Sequence, residues 1–301
     1  MLGLQRIFGW LLLVVFTLAG PQWIAAQRIA TAAAGATTPG TELVLPNEEG
    51  SVKLAVFGDV GRGSKEQYEL GQVMSRFHRV FAFDTVLMTG DNIYYEDSPA
   101  DMKKKFEDPY RPLLDGDVKF YASLGNHDSP NQRFYALFNM NGQEYYRLAK
   151  GNVSFYALNS TYMDERQLDW FVNELARDDN AWRIAFFHHP PYSSGKRHGS
   201  DDDLREVLEP VLLKNGIDIV FTGHDHFYER ILPQQGITYF VAGGGGKIRK
   251  GGIDKKSNLT AKGFDTDLSF MLVEFVGDEM YFQVIARNGS TVDSGAIKRR
   301  D

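Results

Sequence analysis

The chain has 301 residues and no cysteine. That excludes disulfides, thiolate metal ligands and a cysteine nucleophile together. Basic charge is in short supply: 33 Lys and Arg stand against 39 Asp and Glu, for a net charge of −6. Proteins that follow a phosphate backbone carry a basic surface, so nucleic acid is not an expected partner. The run Lys103-Lys104-Lys105 reads as the solvated face of a helix. Long apolar runs are scarce too. The one from Ile7 to Ala19 falls short of the roughly 20 residues that span a bilayer. No P-loop pattern and no Ser-His-Asp order supports a covalent route.

The N-terminus has the layout of a secretory signal peptide over residues 1–26. Arg6 is followed by the apolar core, and the small residues Ala25 and Ala26 offer a cleavage site. An uncleaved anchor is the alternative; after cleavage no stable membrane anchor is expected. Residues 27–50 are small and polar and read as a flexible linker. An exported chain without disulfides must rest on its core, and 43% hydrophobic residues supply one. Export without cysteine fits a bacterial envelope, so the expected location is secreted or periplasmic. The four glycosylation-type sequons, at Asn152, Asn159, Asn258 and Asn288, are then chance.

From Ser51 strands and helices alternate, which argues an α/β fold in a single domain over residues 51–301. Val52 to Phe57, Val86 to Met88, Lys119 to Leu124, Arg183 to Phe187 and Ile217 to Phe221 read as strands. Lys65 to Val80, Asp164 to Arg177 and Leu204 to Lys214 have helical spacing; Leu168, Phe171, Val172 and Leu175 share a face of the second. From Ser269 the pattern turns antiparallel, with turns at Gly277-Asp278 and Asn288-Gly289. These C-terminal strands are expected to build most of a second sheet. The glycine run in "AGGGGKIRKGG", residues 242–252, lacks the Walker pattern. It reads as a flexible loop at a site rim with close backbone approach, where Lys247 and Arg249 are candidates to meet an anion.

Five strands end in a polar group: Asp59, Asp91, Asn126, His188 and His224. Sites in open α/β sheets gather at such ends. Six of the seven histidines lie in or beside these segments; only His78 lies inside a helix. The donors are oxygen and imidazole nitrogen, a set that suits Zn, Fe and Mn. His224 and His226, two apart, can reach two adjacent ions, and the two oxygens of Asp91 can bridge them.

The series "FGDVG", "GDNIYY", "GNHD", "HHPPY" and "GHDH" resembles, in order, the calcineurin-like metallophosphoesterases. Two details resemble the purple acid phosphatase branch, in its small mammalian-type form. Asp59-Val60-Gly61 lacks the histidine that most members carry two residues after the first aspartate. Tyr94 stands three residues after the bridging aspartate. The resemblance implies an α+β sandwich, two packed mixed β-sheets flanked by helices. It implies a first metal held by Asp59, Asp91, Tyr94 and His226, and a second held by Asp91, Asn126, His188 and His224. His188 is preferred over His189 because it stands two residues before Pro190. His127 and His198 would face the substrate as catalytic groups. Tyr95 is expected to pack away from the site.

The implied cofactors are Fe(III), which a phenolate favours, and a second divalent metal, Fe, Zn or Mn. The implied activity is a phosphoric monoester hydrolase, an acid phosphatase acting on a small phosphate ester. A hydroxide on the metals attacks and a histidine protonates the leaving group. The alternatives are a divalent-metal phosphodiesterase and, further off, a non-catalytic phosphate-ligand binding protein. Oligomeric state and the physiological ester stay open.

Overall fold

The computed structural model describes residues 41–300, so the expected signal peptide and residues 27–40 of the expected linker lie outside the described residues. The first sheet contains β1 (Val52–Phe57), β2 (Thr85–Met88) and β3 (Lys119–Ala122), all parallel. It continues antiparallel through β11 (Ser269–Val276), β12 (Glu279–Ala286) and β13 (Thr291–Lys298), in the order β13-β12-β11-β1-β2-β3. The C-terminal strands therefore extend the first sheet rather than build a second one. Val52 to Val56 pair with Met271 to Phe275, so β11, buried from Ser269 to Phe275, covers what would be an open edge of β1.

The second sheet comes from the middle of the chain. Its parallel centre is β5 (Val153–Ala157), β6 (Trp182–Phe186), β7 (Ile219–Thr222) and β9 (Thr238–Ala242). Antiparallel β4 (Tyr146–Lys150), β8 (Tyr228–Ile231) and β10 (Thr260–Phe264) complete the order β10-β8-β9-β7-β6-β5-β4. Side chains alternate across it as strand geometry requires. Ile184, Phe186, Ile219 and Phe221 join the core between the sheets, while Ala185, Phe187 and Val220 face the other way. Rings from both sheets meet between them: Phe240 lies 5.2 Å from Phe282, and Trp182 5.0 Å from Phe275. Each such buried ring contributes about 1.5–3 kcal/mol.

Helices close both outer faces. Lys65–Phe81 starts where Ser64 accepts from the Gln67 amide and ends where Ala82 turns left-handed and donates to the His78 carbonyl. It buries Leu70, Val73, Met74 and Phe77. Glu165–Ala176 and Asp202–Lys214 are capped by Asp164 and Asp201 and cover the second sheet. Val172 is exposed rather than on the buried face of its helix. The result is the expected sandwich, helices on two packed mixed sheets.

The described end of the expected linker departs from that expectation. Residues 41–50 are held, not free: Leu45 is buried, the Val44 amide donates to Gln283 Oε1 at 3.0 Å, and the Asn47 and Glu48 amides donate to the Glu274 carboxylate, each at 2.7 Å. Buried Glu274 and Gln283 on β11 and β12 need partners, and this segment supplies its backbone. Residues 97–117, without a clear pattern in the sequence, form Pro99–Met102, a π-helical turn Lys103–Glu107 and helix Asp108–Leu114. Lys105 in that turn is buried, which corrects the solvated face expected for the lysine run.

Candidate metal centre

The strand ends are pinned to one another by backbone bonds. The Gly58 amide donates to Ala242, Asp59 to Gly90 and Gly223 to His188, at 2.8, 3.0 and 2.9 Å. The chain then turns sharply. Asp59, Asp91 and His224 all have left-handed backbones, with φ of 58°, 51° and 70°. Side chains pay roughly 1–3 kcal/mol for such a conformation, which persists at sites where surrounding structure enforces it.

The first half of the centre is closed. Asp59, Asp91, Tyr94 and His226 are all buried. One ligand atom from each of Asp59, Asp91 and His226 lies within 4.8 Å of the others. The Tyr94 hydroxyl is 3.1 Å from Asp59 Oδ1 and 3.1 Å from His226 Nε2. Position 61 could not contribute a histidine. A Cβ there would lie 2.0 Å from the Asn92 carbonyl oxygen and 2.6 Å from Ile93 Cα. The loop segment that delivers Tyr94 occupies that space, and the Tyr94 amide donates to the Gly61 carbonyl at 2.9 Å.

The second half is more open. His188 is buried, His224 partly so, and Asn126 is exposed. Asn126 Oδ1 lies 3.1 Å from His188 Nε2 and 3.0 Å from His224 Nδ1, and those two nitrogens are 3.1 Å apart. Asp91 Oδ1 lies 3.4 Å from His188 Nε2, which joins the halves. His188 Nδ1 is 2.9 Å from the Thr89 carbonyl. A carbonyl only accepts, so Nδ1 carries the proton and Nε2 presents its lone pair to the centre. His189 falls in the same group as His188 and His224. Its Nδ1 is instead engaged by Ser160 Oγ at 2.9 Å.

The electrostatics fit cations in both halves. Burial, then the neighbouring Asp91 charge, pushes Asp59 well above the usual carboxylate range. No Lys or Arg ion-pairs with Asp59 or Asp91 among the described residues. Burial, then Asp59 and Asp91, pushes the Tyr94 phenol far above its ordinary value. Two buried carboxylates and a phenol sharing one spot are a poor arrangement without positive charge. The imidazoles move the other way. Burial and His188 push His224 down to about 2, and burial with Lys247 and Arg249 pushes His226 down to about 4. Neutral imidazoles are what a metal binds.

His198 and His127 border the opening. The His198 ring lies 4.2 Å from that of His224, and the two line a cleft of about 430 Å³ with His189 and Arg197. The His127 ring is 5.1 Å from that of Tyr94, and its amide donates to Asp91 Oδ1 at 3.0 Å. Tyr95 does not pack: it is 76% exposed, with the Arg62 guanidinium 5.6 Å from its ring.

Several supporting residues escaped the sequence. Lys105 Nζ donates to the carbonyls of Tyr94 and Glu96, at 2.9 and 2.6 Å, and pairs with Asp101. Asp128 accepts from the amides of Gly125, Asn92 and Ile93 and so shapes the turn carrying Asn126. Asp225, between the two histidines of "GHDH", turns away from the centre. It accepts from Ser193 Oγ at 2.6 Å and the Gly199 amide at 3.2 Å, on either side of His198. The "D" of "GNHD" was the one available signal, as an Asx turn residue. The glycines 243–246 approach other backbone closely, as expected, but are buried rather than flexible.

Residues 52–228 match the calcineurin-like phosphoesterase family, and the chain belongs to it. It is similar to purple acid phosphatase 17 of Arabidopsis thaliana, 27% identical over 245 residues, which are 68% of this chain and 72% of that protein. It is similar to purple acid phosphatase 4 of the same plant, 28% identical over 275 residues, 78% and 80% of the two chains. Two solved structures share the fold at 18% identity and a TM-score of 0.69. One is purple acid phosphatase PPD1 from yellow lupin seeds, covering 85% of this chain and 55% of that one. The other is GAP50, the anchor in the inner membrane complex of Plasmodium, covering 83% and 90%.

Proposed function

We propose that this metal-dependent phosphoesterase is an acid phosphatase, hydrolysing phosphate monoesters at a centre of Fe(III) and a divalent ion, Fe, Zn or Mn. One observation carries the proposal: the Tyr94 hydroxyl stands 3.1 Å from both Asp59 Oδ1 and His226 Nε2, beside a Gly61 that leaves no room for a histidine. A phenolate is a hard anionic donor and favours the ferric ion. The likeness to purple acid phosphatases supports the same reading.

Asp59, Asp91, Tyr94 and His226 would hold the first ion, and Asp91, Asn126, His188 and His224 the second. When bound, the ions supply positive charge against the phosphoryl oxygens and acidify a water to serve as nucleophile. The chain's own groups set the geometry. The His127 amide fixes Asp91 between the halves, and the Thr89 carbonyl fixes the tautomer of His188. His198, beside His224, and His127, beside Tyr94, are the candidates to give the leaving oxygen its proton. The protein would act outside the cytoplasm, exported by its N-terminal segment.

The test is an absorption spectrum with metal quantification, beside turnover of p-nitrophenyl phosphate and its diester. A violet, iron-containing protein that prefers the monoester is expected, colourless in Tyr94→Phe. A colourless protein loaded with Mn or Zn and faster on the diester would replace this reading with a phosphodiesterase. Metal-loaded protein with no turnover of either ester would point to a binding or anchoring role.

A further inference from the structure

Three part-buried cations border the centre without acidic partners. Arg62 follows Asp59 by three residues, and its guanidinium sits 5.5 Å from the Tyr94 ring and 5.6 Å from the Tyr95 ring. Lys247 comes directly after Gly246, where a Cβ would lie 2.0 Å from the Val60 carbonyl oxygen, so its backbone runs alongside the turn that carries Asp59. The Arg249 amide donates to the His226 carbonyl at 3.0 Å, and its Nη1 is buried without a hydrogen-bond partner. None of the three forms an ion pair among the described residues, although acidic residues outnumber basic ones in the chain. They feel one another: burial, then Arg62, with Arg249 and Arg197 further down, holds the Lys247 ammonium below its usual range.

Like charges gathered at partial burial are unfavourable unless an anion joins them. The scissile phosphoryl group is met by the centre itself. The neighbouring lip of the cleft, around His198, sets Arg197 beside Asp201, Asp202 and Asp203 and so has no such excess of positive charge. The cationic side therefore has capacity for a second anionic group on the same substrate. Arg62 is braced against two rings, and Tyr95 is held with a left-handed backbone at φ 67°, so this side is shaped rather than floppy.

We infer that Arg62, Lys247 and Arg249 form a subsite for a second phosphate, selecting esters and anhydrides whose leaving group is itself phosphorylated. This rests on the phosphatase reading above. For a nucleoside diphosphate, a water oxygen bonds to the terminal phosphorus. The bond from that phosphorus to the bridging oxygen breaks, its electron pair leaves on the nucleoside monophosphate, and the water proton passes to solvent. The leaving oxygen is already part of an anion, so the cations stabilise it with less need of a proton from His198.

The experiment compares adenosine diphosphate with adenosine monophosphate, which differ by the second phosphate alone. The ratio of their kcat/KM values is measured for the metal-loaded wild type, Arg62→Ala, Lys247→Gln and Arg249→Ala. The wild type should prefer the diphosphate, and each variant should lower the ratio about tenfold, the size of one charge-assisted hydrogen bond partly screened by water. Raising the salt concentration should lower the wild-type ratio as well. A ratio that stays constant in all three variants overturns the proposal. If the wild type hydrolyses neither nucleotide, turnover of p-nitrophenyl phosphate decides the phosphatase reading. The subsite is then decided by calorimetric binding of the two nucleotides to wild type and Lys247→Gln: tighter binding of the diphosphate, weakened by the substitution, sustains it, and equal binding ends it.

Discussion

The two halves of the centre are built from different material. The closed half, Asp59, Tyr94 and His226, is anionic, buried and braced by the chain around it. The open half, Asn126, His188 and His224, is neutral; Asn126 is exposed and His224 lines the surface cleft. A buried anionic pocket binds a highly charged ion and releases it slowly. A neutral, partly wet set of imidazoles and one amide discriminates less among divalent ions. The difference teaches that, in the proposed centre, one half would define the chemistry while the other would admit substrate and exchange its metal.

Asp91 is the residue the comparison cannot do without, because it faces both halves. Asp91→Ala should cost the most: at least about a thousandfold in kcat/KM, equivalent to roughly 4 kcal/mol of transition-state stabilisation. Metal quantification on the purified variant should show both ions depleted. Retention of one ion at full occupancy would show that the halves are independent.

The next effect separates them. Asn126→Ala and His224→Ala should each cut activity about 100-fold or more while leaving the colour, since Tyr94 is untouched. Tyr94→Phe should do the opposite, removing the colour while the divalent ion stays bound. Spectra and metal content of the three variants check this. Loss of colour in Asn126→Ala would mean the closed half depends on the open one.

Acid should separate the halves without mutation. Both need deprotonated ligands, so protons compete with the metals, and affinity falls as pH falls. Asn126 of the open half is exposed and His224 partly so, so a mild chelator should strip the divalent ion first, and faster at lower pH. Metal content against time, at two pH values, reads this directly. Simultaneous loss of both ions would contradict the proposed difference in exchange.

Much of this candidate centre was legible because the residues it gathers stand at strand ends. A short apolar run broken by Gly-Asp or Gly-His announces both the strand and the group it delivers, as at Asp91 and His224. The sandwich was legible for the same reason, but not which sheet each strand joins. β11 pairs with β1, more than 200 positions away, and nothing local encodes that register. The supporting residues were opaque for a related cause. Lys105 in a lysine run and Asp225 between two ligands look like ordinary surface charge. Their partners, Tyr94 at 11 positions and the loop of Ser193 to Gly199 at 26 to 32, lie in other segments that only the fold brings together.

Those residues provide the smaller tests. Asp225→Ala unties Ser193 and Gly199 from the loop that carries His198. Activity should fall about 10–100-fold, as when groups that orient a metal site's neighbours are lost. The colour should not change, because the closed half is not touched.

Lys105 gives the smallest and most specific effect. Its ammonium joins the carbonyls of Tyr94 and Glu96 to the Asp101 carboxylate, and Gln67 ties the same turn to the amides of Arg62 and Gly63. In Lys105→Met the stem still fills its space, but two carbonyls lose a charged donor. That costs about 1–3 kcal/mol, or several degrees in Tm for a chain of this size. The segment that positions Tyr94 then loosens. The charge-transfer band should shift or broaden while the divalent ion stays at full occupancy. A lower Tm with an unchanged band would make Lys105 a fold-stabilising residue only, and would leave the rigidity of the closed half to Gln67 and the Gly61 packing alone.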